Sequence, residues 1–578
     1  MKQYFTKQRE SISGTQSRLL GQAKVRLLLV AGVFMVGYLA ISLRLIDLTL
    51  LRDTTTGNSS TSAAQVPADK PLRGTIMDRN GELMATSLRM ASVYADASLI
   101  ENPQTVAREL AGILPDEKEK DLTAKLSSGK KFIWIARNIT PRQQYAINAL
   151  GHPGLSFEAE SKRIYPSGRL TSHLIGYTDV DGRGIAGIEK QHEKQLQQGD
   201  EDLHLTIDLR IQHLMHRELS KAIRTFSAKA GVGMVMDVNS GDIIAMVSLP
   251  DFDPYHLGAS PDDTRFNRAS LGVYEMGSTF KLFPVAAALD SGDASFGTMF
   301  DATEPIKFGR FRISDYHPKK RPLTMAEVFI YSSNIGTAKI AQSLGEDGLK
   351  DFYERMGFFE RAPLDLPERG QPLFPTPWRD INTLTASYGH GIAVSPVHLL
   401  RAAAALVNGG ILIKPHLVHD GKKSDDLAKP EGPRVIKRDT AEKVRKLLAL
   451  VVADGTGSKA RVEGYAIGGK TGTADKTQGR GYSKNARLSS FLGVYPIDKP
   501  RYAVLAIVDE PQGIKESYGY ATGGWVAAPV VSRVIEQMAP LYQIAPEGDG
   551  LDAINTEMAR YLKEKKEGKS IVAVGTDR

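Results

Sequence analysis

The sequence predicts an α+β fold for its largest part, residues 205–540. Two apolar, β-prone runs, Gly231–Asp237 and Asp242–Ser248, open this part and are joined by a tight Asn-Ser-Gly turn, which is typical of an antiparallel hairpin. Two further strand-like runs, Arg487–Val494 and Tyr502–Asp509, lie near its end. Patterns typical of helices fill the middle, at 324–343, 383–408 and 440–453. Strands at both ends with helices between them predict that the terminal strands share one sheet.

An apolar segment near the N-terminus predicts a membrane anchor. Leu27–Leu43 contains no charged residue, and adding the next three residues gives a segment, 27–46, that can cross a bilayer core of about 30 Å. Basic residues predominate in 1–26, so the positive-inside rule predicts that this tail is cytoplasmic and that the rest of the chain lies outside. A signal peptide cleaved near Ala40–Ser42 and a buried helix are the alternatives.

The remaining chain divides by composition. Residues 47–70 are rich in Thr, Ser and Ala and are typical of a flexible linker. Residues 71–204 contain short apolar runs, a helical stretch near 104–126 and Gly/Pro turns, which indicates a separate, non-catalytic module. After the α+β domain, the tail 541–578 has a basic, amphipathic stretch around 551–567 and is predicted to be poorly ordered.

Composition excludes several function classes. The chain has 578 residues, 42% of them hydrophobic, which allows a sizeable core, and its formal net charge of +8 is modest for this length. It contains no cysteine, so disulfides, thiol nucleophiles and thiolate metal sites are excluded. No arginine-rich arm, zinc-finger spacing or RNA-binding aromatic motif is present, so nucleic acid is not an expected partner.

The first chemical signal is the pair Ser278 and Lys281. A serine hydroxyl is a weak nucleophile until a neighbouring base takes its proton, and a neutral lysine can be that base. Positions i and i+3 share one helix face, so Lys281 can reach Ser278. The same spacing occurs at 127–130 and 128–131, but only Ser278 follows a glycine and precedes a small apolar helix. Pro284 predicts a kink or a late start for that helix. A helix cap is the alternative role for Ser278.

The second signal is Ser332-Ser-Asn334. A serine and an amide two residues apart face one pocket only on a loop or strand. Ser332 can pass protons toward a leaving amine, and Asn334 can hydrogen-bond a substrate amide. Ser483-Lys-Asn485 repeats the spacing, so ordinary turn chemistry is an equal alternative for this motif taken alone.

The third signal is Lys470–Thr473, which contains the one Lys-Thr-Gly of the chain. The two glycines before it indicate a strand that another backbone approaches closely. Lys470 supplies positive charge, Thr471 and Thr473 offer hydroxyls to a substrate carboxylate, and Gly472 lies between them in the same substrate-binding strand. A glycine-rich turn with an exposed lysine is the alternative. The order Ser-x-x-Lys, Ser-x-Asn, Lys-Thr-Gly is the set found in penicillin-binding proteins and class A β-lactamases.

With these motifs together, the chain resembles the class B penicillin-binding proteins from about residue 70 to 535. Ser172–Gly182 resembles the division-specific branch more than the elongation branch. Members of the family often have prolines near the positions that Met276 and Leu282 occupy in this chain. This departure affects how the helix begins rather than the chemistry. Other stretches that carry the resemblance are Arg73–Gly81, Arg163–Gly168, Gly184–Glu189, Tyr274–Ser278 and Gly523–Pro529.

The resemblance implies a penicillin-binding, serine β-lactamase-like transpeptidase domain at 205–540 and a pedestal of dimerisation type at 71–204. Without the resemblance, the charged residues of the pedestal are interpreted as a structural ion-pair network of Arg73, Asp78, Arg163 and Glu189. The resemblance also implies no glycosyltransferase module, so the chain is expected to join peptides rather than to polymerise glycan.

The reaction that the resemblance implies is the D,D-transpeptidation of peptidoglycan stem peptides. Ser278 attacks the penultimate D-alanine, Lys281 accepts its proton, and backbone N–H groups of Ser278 and Thr473 hold the oxyanion. The positive charge of Lys470 is expected to lower the pKa of Lys281.

Release of the terminal D-alanine involves the other two motifs. Ser332 and Lys470 relay a proton to it, Thr471 and Thr473 bind its carboxylate, and Asn334 binds a substrate amide. A stem-peptide amine then attacks the acyl-enzyme. No metal or cofactor is needed.

The implied partners are stem peptides, β-lactam antibiotics, the membrane, a polytopic glycan polymerase and other division proteins. The implied location is the bacterial inner membrane, in a single pass, with the catalytic domain in the periplasm. A carboxypeptidase or β-lactamase that uses water as acceptor is one alternative, and a non-enzymatic division scaffold or β-lactam sensor is another. His390, flanked by glycines, is interpreted as structural rather than catalytic.

Overall fold

The structure is a computed structural model that describes residues 72–309, 311–419, 429–478, 481–546 and 551–562, with some positions between 28 and 42. The chain divides into two compact units, Met1–Gln65 and Val66–Arg578. In the first unit the described positions are helical and exposed, whereas the other residues of the expected anchor 27–46, the tail 1–26 and the linker 47–70 lie outside the described residues. In the described part of the chain, no helix is both long and apolar enough to span a membrane.

A five-stranded sheet organises the N-terminal module. The long strand β2 pairs antiparallel with β1, β3 and β4, and β1 pairs in parallel with β5. These strands are β1 (Ile76–Met77), β2 (Leu83–Ala95), β3 (Ile133–Ile139), β4 (Leu155–Ile164) and β5 (Leu203–His204). The helices of the module are α1 (Pro103–Ile113), α2 (Glu119–Leu126), α3 (Pro141–Ala149), α4 (Ser172–Ile175), α5 (Gly187–Gln191) and α6 (Glu193–Gln198). The helical stretch expected near 104–126 is thus two helices, and Pro115 lies in the break because a proline cannot continue a helix interior.

The charged residues of this module do form a buried cluster, with one exception. Glu189 is fully buried and accepts from both Arg73 Nε, at 2.6 Å, and Arg163 Nε, at 2.7 Å. Asp78 does not join this network. Its Oδ2 accepts from the backbone N–H of Leu209, at 3.1 Å, which connects the module to the first helix of the C-terminal domain. The ion-pair interpretation was therefore right for the two arginines and the glutamate and wrong for Asp78.

The C-terminal domain contains a second five-stranded sheet, all antiparallel, in the order β12–β13–β14–β6–β7. The predicted hairpin and the predicted sharing of one sheet by the terminal strands are both confirmed. Because both faces of this sheet are apolar, it separates two hydrophobic cores. The strands are β6 (Ala230–Asp237), β7 (Ile243–Leu249), β12 (Gly468–Gln478), β13 (Gly481–Tyr495) and β14 (Tyr502–Asp509). Short strands β8 (Met299–Asp301), β9 (Ile306–Phe308), β10 (Phe311–Ile313) and β11 (Pro322–Thr324) form two small ribbons.

Helices cover both faces of this sheet. The pattern at 324–343 is two helices separated by the turn at Ser332, and the pattern at 383–408 is also two helices. Helix α8 begins at Leu282, so Pro284 lies in its first turn, as the expected late start requires. The helices are α7 (Leu209–Thr225), α8 (Leu282–Ser291), α9 (Met325–Ile330), α10 (Asn334–Arg355), α11 (Asp380–Ala386), α12 (Pro396–Ala405), α13 (Arg438–Asp454), α14 (Gly523–Val526), α15 (Ala528–Leu541) and α16 (Leu551–Met558).

The C-terminal tail contradicts the expectation that it is poorly ordered. Helix α16 packs against α13, with Met558 and Leu562 fully buried. The carbonyl of Tyr561 accepts from the hydroxyl of Thr324, the residue that caps α9, at 2.9 Å. Met558, the last residue of this helix, and Leu562, just after the turn that follows it, supply the apolar burial that orders the segment, which the tail's overall charge concealed. Residues 563–578 lie outside the described part.

Candidate active site

Ser278 lies on a short 3₁₀ turn, Gly277–Lys281, that is pressed against strand β12. Gly277 has φ +55°, and a Cβ built on it would lie 2.7 Å from the carbonyl oxygen of Thr473, so only glycine fits there. Ser278 itself is half-buried. Side chains three residues apart eclipse each other in a 3₁₀ turn, which puts Lys281 on the side of the turn that carries Ser278.

Lys281 is fully buried, and its amine contacts Ser332. Its Nζ donates to the Ser332 carbonyl and lies 3.1 Å from the Ser332 hydroxyl. Burial holds the pKa of Lys281 well below its usual value, and the nearby charge of Lys470 lowers this pKa further, whereas Asp315 opposes the shift. Lys470 therefore contributes as the sequence suggested, but desolvation is the larger cause.

Lys470 projects from β12 into the same buried space. Its Nζ donates to the Ser332 hydroxyl, at 3.0 Å, and to the Thr471 carbonyl, at 3.1 Å. Burial lowers its pKa to about 7. The Ser332 oxygen thus lies between two lysine amines that are both disfavoured as cations, which is an arrangement suited to proton transfer.

The turn that carries Ser332 has an unusual backbone. Ser332 has φ +55°, a left-handed conformation that costs a non-glycine residue energy and is typical of functional sites. Asp315 holds the turn in place, because it accepts from the Ser333 hydroxyl, at 2.7 Å, and from the backbone N–H of Ile335, at 2.9 Å. Sequence reasoning missed Asp315, since no local motif links it to residues so far along the chain.

Asn334 opens helix α10, just after this turn. Its side-chain amide donates to the carbonyl of Ser314, at 2.9 Å, so the segment before Asp315 also orients the amide. The hydrogen bond to Ser314 fixes the orientation of the Asn334 side chain. Its carbonyl oxygen is a candidate acceptor for a substrate N–H.

Strand β12 presents the third motif at an edge of the sheet, since in the described part of the chain it pairs only with β13. The Thr471 hydroxyl lies 2.7 Å from the Thr456 hydroxyl, and the Thr473 hydroxyl accepts from the backbone N–H of Gly523, at 3.2 Å. A Cβ on Gly472 would lie 3.0 Å from the Met276 carbonyl oxygen, so this glycine lets the nucleophile turn approach the strand. An open strand edge can also pair with an extended peptide.

His390 lies behind the nucleophile turn. A Cβ on the preceding Gly389 would lie 2.4 Å from the Gly277 carbonyl oxygen. Burial lowers the pKa of His390, while Glu275 and Asp475 oppose that shift.

A cavity of about 420 Å³ opens beside Glu275, Asp475 and Ala474, next to strand β12. Among the described residues, no group of His, Asp and Glu side chains is arranged to hold a metal ion.

Comparison with known proteins assigns the family. The model of the penicillin-binding protein transpeptidase domain matches residues 231–536, and that of the penicillin-binding protein dimerisation domain matches 68–204. The probable peptidoglycan D,D-transpeptidase FtsI of Caulobacter vibrioides is 40% identical over 481 residues, which cover 81% of this chain and 81% of that protein. The chain belongs to the class B penicillin-binding proteins.

A further relative supports this assignment, and a solved structure shares the fold. The peptidoglycan D,D-transpeptidase FtsI of Escherichia coli is 31% identical over 510 residues, which cover 82% of this penicillin-binding protein and 84% of its relative. The crystal structure of a peptidoglycan synthetase from Bifidobacterium adolescentis has a TM-score of 0.65 at 23% identity and covers 84% of this chain and 98% of its own. The latter similarity concerns the fold.

In this penicillin-binding protein, the three motifs meet around one small space. Ser332 contacts both lysines, and the turn of Ser278 packs on the strand of Lys470. One detail differs from the sequence-based expectation: the contacts of the Lys281 amine go to Ser332 rather than to Ser278. The Ser332 hydroxyl connects the two lysine amines in this state. Catalytic hydrogen bonds often shorten only when substrate binds, so the contact of Ser278 with this pair belongs to the substrate-bound state.

Proposed function

We propose that this protein is a peptidoglycan D,D-transpeptidase that cross-links stem peptides through an acyl-enzyme on Ser278. The observation that carries the proposal is the position of the Ser332 hydroxyl, 3.1 Å from the Lys281 amine and 3.0 Å from the Lys470 amine, beside the turn that bears Ser278. Such a relay can take a proton from a nucleophile on one side and deliver it to a leaving amine on the other.

Acylation begins when Ser278 Oγ attacks the carbonyl carbon of the penultimate D-alanine. Lys281, neutral because it is buried, accepts the hydroxyl proton, and the N–H groups of Ser278 and Thr473 stabilise the oxyanion. When the C–N bond breaks, Lys470 donates through Ser332 to the departing amine. Nothing is oxidised or reduced, and the proton balance closes once the proton on Lys281 returns to Lys470.

The substrate lies along the open edge of β12. Thr471 and Thr473 offer hydroxyls to the terminal carboxylate, and the charge of Lys470 attracts it. Asn334, at the opposite side, receives the peptide amide. A β-lactam imitates this D-alanyl-D-alanine end and therefore acylates the same serine.

Labelling with a fluorescent penicillin tests the proposal. The parent protein is expected to form a covalent adduct, which mass spectrometry of a tryptic digest assigns to the peptide that contains Ser278. Ser278→Ala is expected to form none. Labelling of Ser278→Ala at the parent's rate contradicts the proposal, and rapid hydrolysis of the bound penicillin reassigns the protein to the β-lactamases.

We further propose that the protein acts in the division septum and that residues 27–46 anchor it in the cytoplasmic membrane with the catalytic domain outside. The apolar run and the basic residues of 1–26 support the anchor, and the names of the FtsI relatives support the septal role. A polytopic glycan polymerase and other division proteins are the proposed partners. Sizing the mature N-terminus from isolated membranes tests the anchor, since a start near residue 43 contradicts it. Imaging a fluorescent fusion at mid-cell tests the septal role.

A further inference from the structure

Next to the strand of Thr471 and Thr473, two exposed tyrosines pack on a partly buried tryptophan and form an aromatic cluster. Tyr518 and Trp525 have ring centroids 5.6 Å apart, and Tyr520 and Trp525 are stacked with centroids 6.3 Å apart. Tyr518 is 70% exposed and Tyr520 is 40% exposed. Large apolar side chains grouped at a surface are typical of binding sites, whereas single ones are common and carry no information.

Backbone hydrogen bonds within the loop define the turn that carries the two tyrosines. The backbone N–H of Tyr520 donates to the Ser517 carbonyl, at 2.8 Å, and that of Gly519 donates to the Ile514 carbonyl, at 2.9 Å. Tyr518 has φ +51°, a left-handed conformation that a tyrosine rarely adopts. A loop that holds a bulky side chain in such a conformation and points it at solvent is typical of a functional surface.

The cluster adjoins the part of the active site that holds the leaving group. Trp525 lies on α14, and the first residue of that helix, Gly523, donates its backbone N–H to the Thr473 hydroxyl. A Cβ on Gly524 would lie 3.6 Å from Thr471 Cγ2. The Lys459 amine lies 3.8 Å from the centre of the Trp525 ring, which adds a positive charge to the same surface.

The chemistry of transpeptidation specifies what should bind here. By microscopic reversibility, the attacking amine approaches the acyl carbonyl along the path on which the D-alanine amine departed. The acceptor therefore approaches past Thr471 and Thr473, the two residues that the aromatic cluster adjoins. We propose that Tyr518, Tyr520 and Trp525 bind the acceptor strand, an uncross-linked stem peptide joined to its glycan, an inference that rests on the proposed transpeptidase function. The new amide C–N bond forms as the ester bond to Ser278 breaks, and the proton of the amine returns to the Ser278 oxygen.

The experiment measures how the acyl-enzyme divides between the amine and water. The full-length protein receives a stem-peptide thioester as donor and an uncross-linked muropeptide at increasing concentration as acceptor. For the Tyr518→Ala/Tyr520→Ala variant, the ratio of cross-linked to hydrolysed product is expected to fall at least about fivefold at low acceptor concentration. Acylation by fluorescent penicillin is expected to stay within about twofold of the parent rate, because the donor side is intact.

Two matched variants complete the test. Tyr518→Phe/Tyr520→Phe keeps the ring surfaces and is expected to keep the parent ratio, and Tyr145→Ala removes a 78% exposed tyrosine from the N-terminal module and is expected to change nothing. A parent-like ratio for the double alanine variant at every acceptor concentration overturns the proposal. So does loss of division in cells with the ratio unchanged, which assigns the cluster to a protein partner. Failure of the parent to acylate at all contradicts the proposed function instead.

Discussion

Two buried charge clusters in this molecule have opposite designs. In the N-terminal module, Glu189 pairs with two arginines, Arg73 and Arg163, and Arg73 also pairs with Glu193, so two carboxylates compensate two guanidiniums. In the catalytic domain, two fully buried lysines, Lys281 and Lys470, share a neutral hydroxyl. Compensated charges stabilise a geometry, whereas like charges that burial drives toward neutrality are available for proton transfer. Burial alone therefore does not distinguish a structural charge cluster from a catalytic one. The sign of the charge on the neighbouring group does.

Removing a lysine from the catalytic cluster is expected to have the largest effect. In Lys281→Met, an apolar side chain of similar length replaces the base, so acylation by penicillin should slow by about 10³-fold. The melting temperature should not fall, because a desolvated amine is lost from the core. Stopped-flow labelling and thermal denaturation measure the two effects, and a large drop in melting temperature at an unchanged acylation rate would assign Lys281 a structural role.

Substitution in the Glu189 cluster should lower stability and leave acylation unchanged. Glu189→Gln leaves two buried arginines without their common carboxylate, and the free energy of unfolding should fall by about 3 kcal/mol. Acylation by the protein that remains folded should be unchanged. Urea denaturation followed by tryptophan fluorescence measures the loss. A variant that keeps parent stability but loses acylation would assign the Glu189 cluster to catalysis rather than to stability.

The pH dependence of acylation should reveal both lysines. Lys281 must be neutral to accept a proton, so the rate rises as pH increases through its lowered pKa. Lys470 must be protonated to donate, so the rate falls above its pKa of about 7. The falling limb is expected to be about tenfold per pH unit. In Lys470→Arg the guanidinium stays charged and does not give up a proton, so acylation should be slower and this limb should disappear. A rate that climbs steadily to high pH in the parent excludes Lys470 as the acid.

Loss of an exposed ion pair should have the smallest effect on stability. Lys446 and Glu557 join α13 to α16, at 2.7 Å, but their side chains are 34% and 40% exposed. Water screens such a pair, so Lys446→Gln should lower the free energy of unfolding by less than about 1 kcal/mol. Chemical denaturation of the variant and the parent in parallel checks this. A loss as large as that of Glu189→Gln would mean that α16 depends on this pair rather than on Met558 and Leu562.

Local patterns allowed much of the fold to be predicted. The hairpin of β6 and β7 follows from two apolar runs and an Asn-Ser-Gly turn, and the late start of α8 follows from Pro284, because each depends on residues that are neighbours in sequence. The order of the three motifs indicated a penicillin-binding protein or a class A β-lactamase, and further stretches such as Arg73–Gly81 and Gly184–Glu189 identified the family.

Features that arise from distant contacts were not predictable in this way. The left-handed backbone of Ser332 depends on Asp315, which belongs to another segment, and no helix or strand pattern encodes that pairing. The contact of Lys281 with Ser332 rather than with Ser278 likewise depends on where α9 ends. The tail seemed too polar to fold, yet two apolar residues find a place in the core of the catalytic domain.

The pairing of β14 with β6 has a consequence for how the protein is made. Every residue of β6 from Ala230 to Asp237 has its partner in Tyr502–Asp509, near the end of the domain. During synthesis the β14-facing edge of the hairpin of β6 and β7 therefore remains unpaired until almost the whole chain has been made. Folding of the catalytic domain cannot proceed gradually along the nascent chain, and its central sheet closes in a late step.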